Sequence, residues 1–442
     1  MFLATSTLHA AEEEVEPTTT MEGRNLVVFI DKPVPLIEGV EPSFPDVAEI
    51  IIPENEVEGA EQLQSINQYN VSIQNLEVEG GAWNGALIET LAGLGNLQQE
   101  LRNHGAALAS FDRAMHISRI NNGLHNQNQI PLVNEIIESN LAVGNWEQAD
   151  LYYDYLFFVQ QKSFGLTDPR IIPILEDLGN WNMRAFTIGY GDVLGLRLST
   201  AQLVFDAAAR LIGSHYGRVD ERFIPFNMSL AKSAFQVAMH PALINEMDRP
   251  DILGVQDNLR RALNESGSAL PMGFRKGEMA LEQVIAYYEE QEEVDIAALA
   301  EARTNLADWY LIFERRRDAE ALYLEIWNHL SEQENGAELQ AKLFGSPIQI
   351  PTYDETPRRI NLRGSERPDR GQLLADYGDF SFEVSRWGEV RRVELISEET
   401  IENAGQLRRV AREMRRIYFR PMLVDGVPVM TEDNRVRVRF WY

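Results

Sequence analysis

The 442-residue sequence is about 44% apolar and carries 40 Lys plus Arg against 68 Asp plus Glu, a formal net charge of -28. That apolar content can build a large core, spread by its length over two or three domains, so disorder throughout is excluded; the charge would repel a phosphate backbone, so nucleic acid is not an expected partner. Cysteine is absent, which removes disulfides, thiolate metal sites and cysteine nucleophiles, and no run of about 18 or more apolar residues occurs that would span a bilayer as a helix.

Residues 1–65 read as an extended or disordered arm. Ala10 and Ala11 followed by Glu12, Glu13 and Glu14 look like the cleavage region of a secretory leader, with a disordered tail as the alternative. The first of these makes export to the periplasm the expected localisation. Further on, Pro17, Pro33, Pro35, Pro42, Pro45 and Pro53 interrupt short β-like runs such as Leu26 to Ile30, as in an arm rather than a packed domain.

From 66 to 346 the periodicity is that of amphipathic helices, and they recur. Ala107, Ala149 and Ala201 are each followed sixteen residues later by Gly123, Gly165 and Gly217. Those glycines are each followed thirteen residues later by Ile136, Leu178 and Leu230. The first interval is 42 residues and the second 52, and the ten extra residues are expected between two helices, around Ile188 to Gly195. The glycines of that stretch lack the spacing and flanking elements of a phosphate loop. Gly144 to Ala149 with Tyr153, and Asn305 to Tyr310 with Ala319, Tyr323 and Ile326, set small and apolar residues at the spacing of two packed helices. Leu94, Gly95, Ala107, Phe111 and Ala114 repeat it.

These segments resemble the tetratricopeptide repeat, and the 42-residue period resembles the longer helices of kinesin-light-chain-type arrays. The resemblance covers roughly 80 to 335 and is weakest between 240 and 270. It implies an α-solenoid in which neighbouring helix pairs stack because none can bury its apolar stripe alone. It also implies a concave surface for protein partners, with Asn96, Gln99 and Glu100 in the first repeat and Asn134 and Glu138 in the second facing the groove; the alternative is that these are solvated polar residues.

Residues 347–370, with Pro347, Pro351, Pro357 and Pro368, read as a linker, and 371–442 as a separate small α+β domain. Phe380, Phe382 and Val384 alternate with polar residues up to a turn at Trp387-Gly388. Leu407, Val410, Ala411, Met414 and Ile417 have helical spacing, and Asp425-Gly426 predicts a tight turn before a last strand through Arg435, Arg437 and Arg439. The order strand, strand, helix, strand, with Gly388-Glu-Val390, Phe419-Arg-Pro421 and Gly426-Val-Pro-Val429, resembles the C-terminal domain of the TonB family. That resemblance implies partner binding by strand addition. The sequence departs from the family in having no Tyr-Pro pair before the first strand, no membrane anchor and no proline–lysine spacer, which puts energy transduction in doubt. Arg435, Arg437 and Arg439 read as the solvent face of the strand, as a surface for an acidic partner or for the chain's own array, or as protection of an open edge.

Seven histidines are scattered without a ligating spacing, the acidic run at 289–293 lacks the alternation of a calcium loop, and no GxSxG serine is present. No cofactor, metal or catalytic residue is expected. The resulting expectation is a mainly α, non-enzymatic protein-binding scaffold of the bacterial cell envelope. The alternatives are a TonB-like accessory of energy transduction and an enzyme whose site is assembled only in three dimensions, near 189–195 or where the two modules meet.

Overall fold

The computed structural model describes residues 27–37, 39–44, 56–191, 193–245, 273–360, 374–397 and 404–442. The leader-like stretch and 246–272, where the repeat falters, lie outside the described residues. Helices α1 (Glu56–Gly80), α2 (Leu87–Glu100), α3 (His104–Asn122), α4 (Ile130–Ala142), α5 (Trp146–Phe164), α6 (Ile172–Ile188), α7 (Leu194–His215) and α8 (Phe223–Met239) follow one another in the first part of the chain. After the short α9 (Pro241–Asn245) come α10 (Gly273–Glu289), α11 (Ile296–Ile312), α12 (Arg316–Ser331) and α13 (Gly336–Phe344). From α1 to α8 each helix packs on its sequence neighbour; α8 packs on α10, and the stacking continues to α13. One apolar core runs continuously from Ile73 to Trp309, so the fold is a solenoid of tetratricopeptide-like helix pairs.

The recurring residues are those the packing demands. Ala107, Ala149 and Ala201 are wholly buried, because a larger side chain would hold the paired helices apart. A methyl group on Gly95 would lie 2.4 Å from the Phe111 ring, and one on Gly179 the same distance from Phe205, so each glycine is a socket for the aromatic of the partner helix. Gly123, Gly165 and Gly217 have room for a side chain but sit at φ of 86, 83 and 86°, left-handed backbone that only glycine adopts without strain. Asn126, Asp168 and Asp220 recur at the same intervals, and each side chain accepts an N–H two residues on.

The ten extra residues of the second interval are not a loop between helices. Ile188 ends α6 ten residues after Leu178 where Ala142 ends α4 six after Ile136, and Leu194 starts α7 seven before Ala201 where Trp146 starts α5 three before Ala149. Most of the insertion therefore continues two helices, which keeps backbone hydrogen bonds that a loop would leave to water. Gly189, at φ 78°, then stops α6.

The carboxyl-terminal module is a twisted antiparallel sheet with one helix on it. Its strands are β1 (Phe29–Ile30), β2 (Val34–Pro35), β3 (Ile348–Ile350), β4 (Arg358–Arg359), β5 (Ala375–Val384) and β6 (Val390–Leu395). Then follow α14 (Ala404–Met414), β7 (Tyr418–Arg420), β8 (Leu423–Val424), β9 (Val427–Pro428) and β10 (Thr431–Trp441). The main sheet has the order β4-β1-β10-β5-β6, with β2 also on β10; β3–β7 and β8–β9 form two small ribbons. Phe380, Phe382, Val384, Val436, Val438 and Phe440 form one apolar face, covered by Leu407, Val410 and Met414 of α14. Gly378 lets that helix approach, since a methyl there would meet Leu407 at 2.6 Å. Asp425 and Gly426, both at positive φ, turn β8 into β9.

Two readings of the sequence are corrected here. Part of the arm is built into the sheet: Phe29 and Ile30 pair with Trp441 and Phe440, and Val34 and Pro35 with Arg437 and Val436. The linker is likewise partly strand, with β3 paired to β7 and β4 to β1. Both segments are proline-punctuated, but each contributes only two or three residues to a ladder, too short a run for alternation to register in the sequence.

Candidate interaction surface

The offset of twelve residues between Gly95 and Ala107 recurs between Ile137 and Ala149 and between Ala307 and Ala319, which fixes the register of the first helix of each pair. In that register the residue after Gly95 is Asn96, and its counterparts are Glu138 on α4, Asn180 on α6, Lys232 on α8 and Asp308 on α11. Asn96, Glu138 and Asn180 are exposed. Lys232 and Asp308 are not free: both are engaged by the chain's own carboxyl-terminal module. Asp308, wholly buried, takes a fork of two hydrogen bonds from Arg420 at 3.0 and 2.6 Å, and a third from the Tyr323 hydroxyl at 2.6 Å. Arg420 gives its remaining Nη1 to the Leu343 carbonyl at 3.0 Å, so both charges are satisfied in a dry site. Burial pulls the Arg420 pKa down, yet the Asp308 carboxylate outweighs it and the guanidinium ends above its ordinary value.

On α8, Lys232 lies 3.6 Å from the buried Asp354, and Gln236, one turn on, donates to Asp354 at 2.5 Å. Thr352 donates to Asn305 on α11 at 2.7 Å. The β8–β9 hairpin rests on α12, where a methyl on Gly426 would meet Leu324 at 2.8 Å. The helix face is thus continuous from α2 to α11, filled by protein at its far end and, among the described residues, open over α2, α4 and α6.

The other groove candidates divide along this line. Glu100 and Asn134 are exposed on the open part. Gln99 instead spends its amide between helices, donating to the Glu135 carbonyl at 3.0 Å and to the Ser139 hydroxyl at 2.8 Å. The open stretch is acidic: burial and Glu138 raise the pKa of Glu135, and burial and Glu176 raise that of Asp177. On α5, Asp150 takes both Arg197 nitrogens at 2.6 and 2.8 Å and the Trp181 indole N–H at 2.6 Å. One turn on, Asp154 is reached by solvent but walled by protein on most sides; this desolvation, then the charge of Asp150, pushes its carboxyl up to about 6.

The three arginines of β10 are each ion-paired and differ in exposure. Arg435 is exposed and paired with Asp433, and Arg437 makes a fork with Asp379 at 2.7 and 2.9 Å. Arg439 is buried against Asp31 of the arm at 2.5 Å, and Asp31 also accepts the Trp441 indole N–H at 3.1 Å. Strand β10 is not an edge: β5 lies on one side of it and β1 and β2 on the other. Strand addition there is blocked by the chain itself. The outermost strand on the other side of the sheet is β6, whose residues 391–395 have no second strand neighbour among the described residues.

Where the modules meet, His240, Asp354 and Glu413 line one cavity. Each is committed: His240 Nδ1 lies 2.8 Å from the Gln236 carbonyl, Asp354 is held as above, and Glu413 takes both oxygens to Arg416. Burial lowers the His240 pKa, and Arg358 lowers it further. Among the described residues no group of three or more carboxylates, histidines or cysteines is placed to hold a metal ion, and no helix is long and apolar enough to cross a membrane.

No family model and no curated protein matches the sequence. Among solved structures, the chain is similar to the TPR-like repeats of a kinesin light chain of Podosopora anserina, at 13% identity over 58% of this chain and 97% of that one, with a TM-score of 0.37. A point variant of the same repeats aligns at 12% identity, 58% and 96% coverage and TM-score 0.37. BtubC (BKLC) from P. vanneervenii aligns at 14% identity over 71% of this chain and 100% of that one, TM-score 0.36. The repeat assignment made above rests on the helix pairing and register of this chain.

Proposed function

We propose that this protein is a non-enzymatic, protein-binding scaffold of the bacterial cell envelope, acting in the periplasm, with the first three helix pairs as its receptor surface. One observation carries the reading. The position held by Asn96, Glu138 and Asn180 is occupied on the next two pairs by Lys232 and Asp308, and both of those grip an extended segment or strand of protein. The same face left open is suited to a second segment, with Glu100 and Asn134 beside the register position. The carboxyl-terminal module, in its resemblance to the TonB family, supplies a second contact by strand addition at β6.

The test is affinity capture from envelope extract with the full chain and with Asn96→Ala/Glu138→Ala/Asn180→Ala. These residues are exposed, so the variant folds, and the partner set is expected to fall by about tenfold or more in recovery, as for loss of contacts worth about 1.4 kcal/mol or more. Unchanged recovery would remove the receptor surface from the reading. Fractionation supplies the compartment: a protein found wholly in the cytosol would end the envelope assignment.

A further inference from the structure

Between array and module lies a cavity of about 140 Å³ whose walls come from the arm, α6, α8, the 349–359 connector and the foot of α14. It exists because α6 is a turn longer than α4: Phe186 and Thr187 of that extra turn line it. Most of the wall is apolar, including Phe186, Phe235, Ile312, Ile350 and Pro351.

Asp31 is spent on Arg439 and Trp441, and Asp354 on Gln236 and Lys232. Lys32 is paired with Glu355 at 2.8 Å, and Glu413 faces the guanidiniums of Arg416 and Arg358. Arg416 holds it at 2.9 and 3.0 Å, while Arg358 comes no nearer than 3.7 Å, outside hydrogen-bond reach. None of the Arg358 side-chain N–H groups has an acceptor among the described residues. Desolvation pulls the Arg358 pKa down even with Glu413 opposing it, as expected for a cation that lacks a full counter-charge. In the same wall the Gln349 side-chain oxygen is buried without a partner, whereas the Arg358 side chain is 39% exposed; turning that amide over presents an N–H instead.

We propose that this cavity binds a small carboxylic acid with an apolar body, its carboxylate forked on Arg358 and its body against Phe186 and Phe235. A guanidinium with free parallel N–H groups matches a carboxylate, and Glu413 repels the second charge of a phosphate dianion. Such a ligand touches arm, array and module together, so it stabilises the assembled chain.

The test is calorimetry on the full chain with hexanoate, hexan-1-ol and inorganic phosphate as probes. Hexanoate is expected to bind at least about tenfold more tightly than either of the others, the factor set by a charge-assisted fork. Arg358→Gln should cost hexanoate about tenfold or more. Met239→Trp, placed at a wall residue that is 43% exposed, should abolish binding by filling the cavity while leaving the charge in place. Equal binding of hexanoate and hexanol, phosphate binding as tight as hexanoate, hexanoate binding unchanged by Arg358→Gln or by Met239→Trp, or no binding of hexanoate at all would each overturn the proposal.

Discussion

The glycines of the repeats do two different jobs, and substitution separates them. A methyl on Gly95 would sit 2.4 Å from the Phe111 ring, so Gly95→Ala costs about 1–3 kcal/mol by overpacking, partly offset by alanine's better helix propensity. Gly123 meets nothing within 4 Å, and Gly123→Ala costs about 1–2 kcal/mol from backbone strain at φ 86°. Denaturant titrations distinguish the two: adding Phe111→Leu should make Gly95→Ala nearly silent relative to that background, whereas it should add independently to Gly123→Ala. Asp154 supplies a prediction with a sign. Its folded pKa of about 6 lies above the ordinary carboxylate value, so the folded chain holds a proton that the unfolded chain has lost, and stability falls as pH rises from about 4 through about 6. Asp154→Asn, which removes the charge, is therefore expected to raise the melting temperature at pH 8 and to leave it nearly unchanged at pH 4. A shift equal at both values would mean that ionisation is not the cause.

At the scale of elements, the junction of array and module contains a buried ion pair, Asp308 with Arg420, inside a shell formed by Tyr323, Phe344, Ile350 and Leu423. Removing one partner leaves the other charged and dry. Asp308→Asn or Arg420→Met alone is expected to cost about 3–5 kcal/mol, and the double variant Asp308→Leu/Arg420→Met much less. Denaturation of the three proteins checks this, and a double variant as unstable as the sum of the singles would show that the charges act independently. These elements also show what was legible. Helix pairs could be read because Ala107, Ala149 and Ala201, with their glycines, repeat at fixed offsets, and the β5–β6 and β8–β9 turns could be read from Trp387-Gly388 and Asp425-Gly426. Asp308 was hidden in the sequence as one polar residue among many; its partner lies 112 residues away, and nothing local distinguishes it from the exposed Asn96 in the same register. The ten-residue insertion misled for a related reason. Its glycines look like a loop, yet Gly189 is a helix stop that also makes room, since a methyl there would lie 1.6 Å from the Arg359 guanidinium.

At the scale of the whole molecule, the sheet joins segments from far apart in the chain, residues 29–35 with 436–441. The arm reaches across 408 residues to place Asp31 on Arg439, and its strands cover the side of β10 that β5 leaves open. No periodicity announces this, because two-residue strands carry no alternation and the pairing is long-range; the acidic and basic residues involved each look like surface charge. The arm has two separable roles, neutralising a buried arginine and capping a strand. Asp31→Asn removes the first and keeps the second, so it should lower stability by about 3–5 kcal/mol without changing the state of association. Deleting residues 1–44 removes both: the sheet then presents the unpaired N–H and C=O groups of β10, a template for a second copy. Sedimentation at increasing concentration is expected to show further self-association for the deletion and no change for Asp31→Asn. Were both to sediment as the unaltered protein does, the arm would be a counter-charge for Arg439 and nothing more; were both to associate further, the ion pair itself would be what keeps the strand in place.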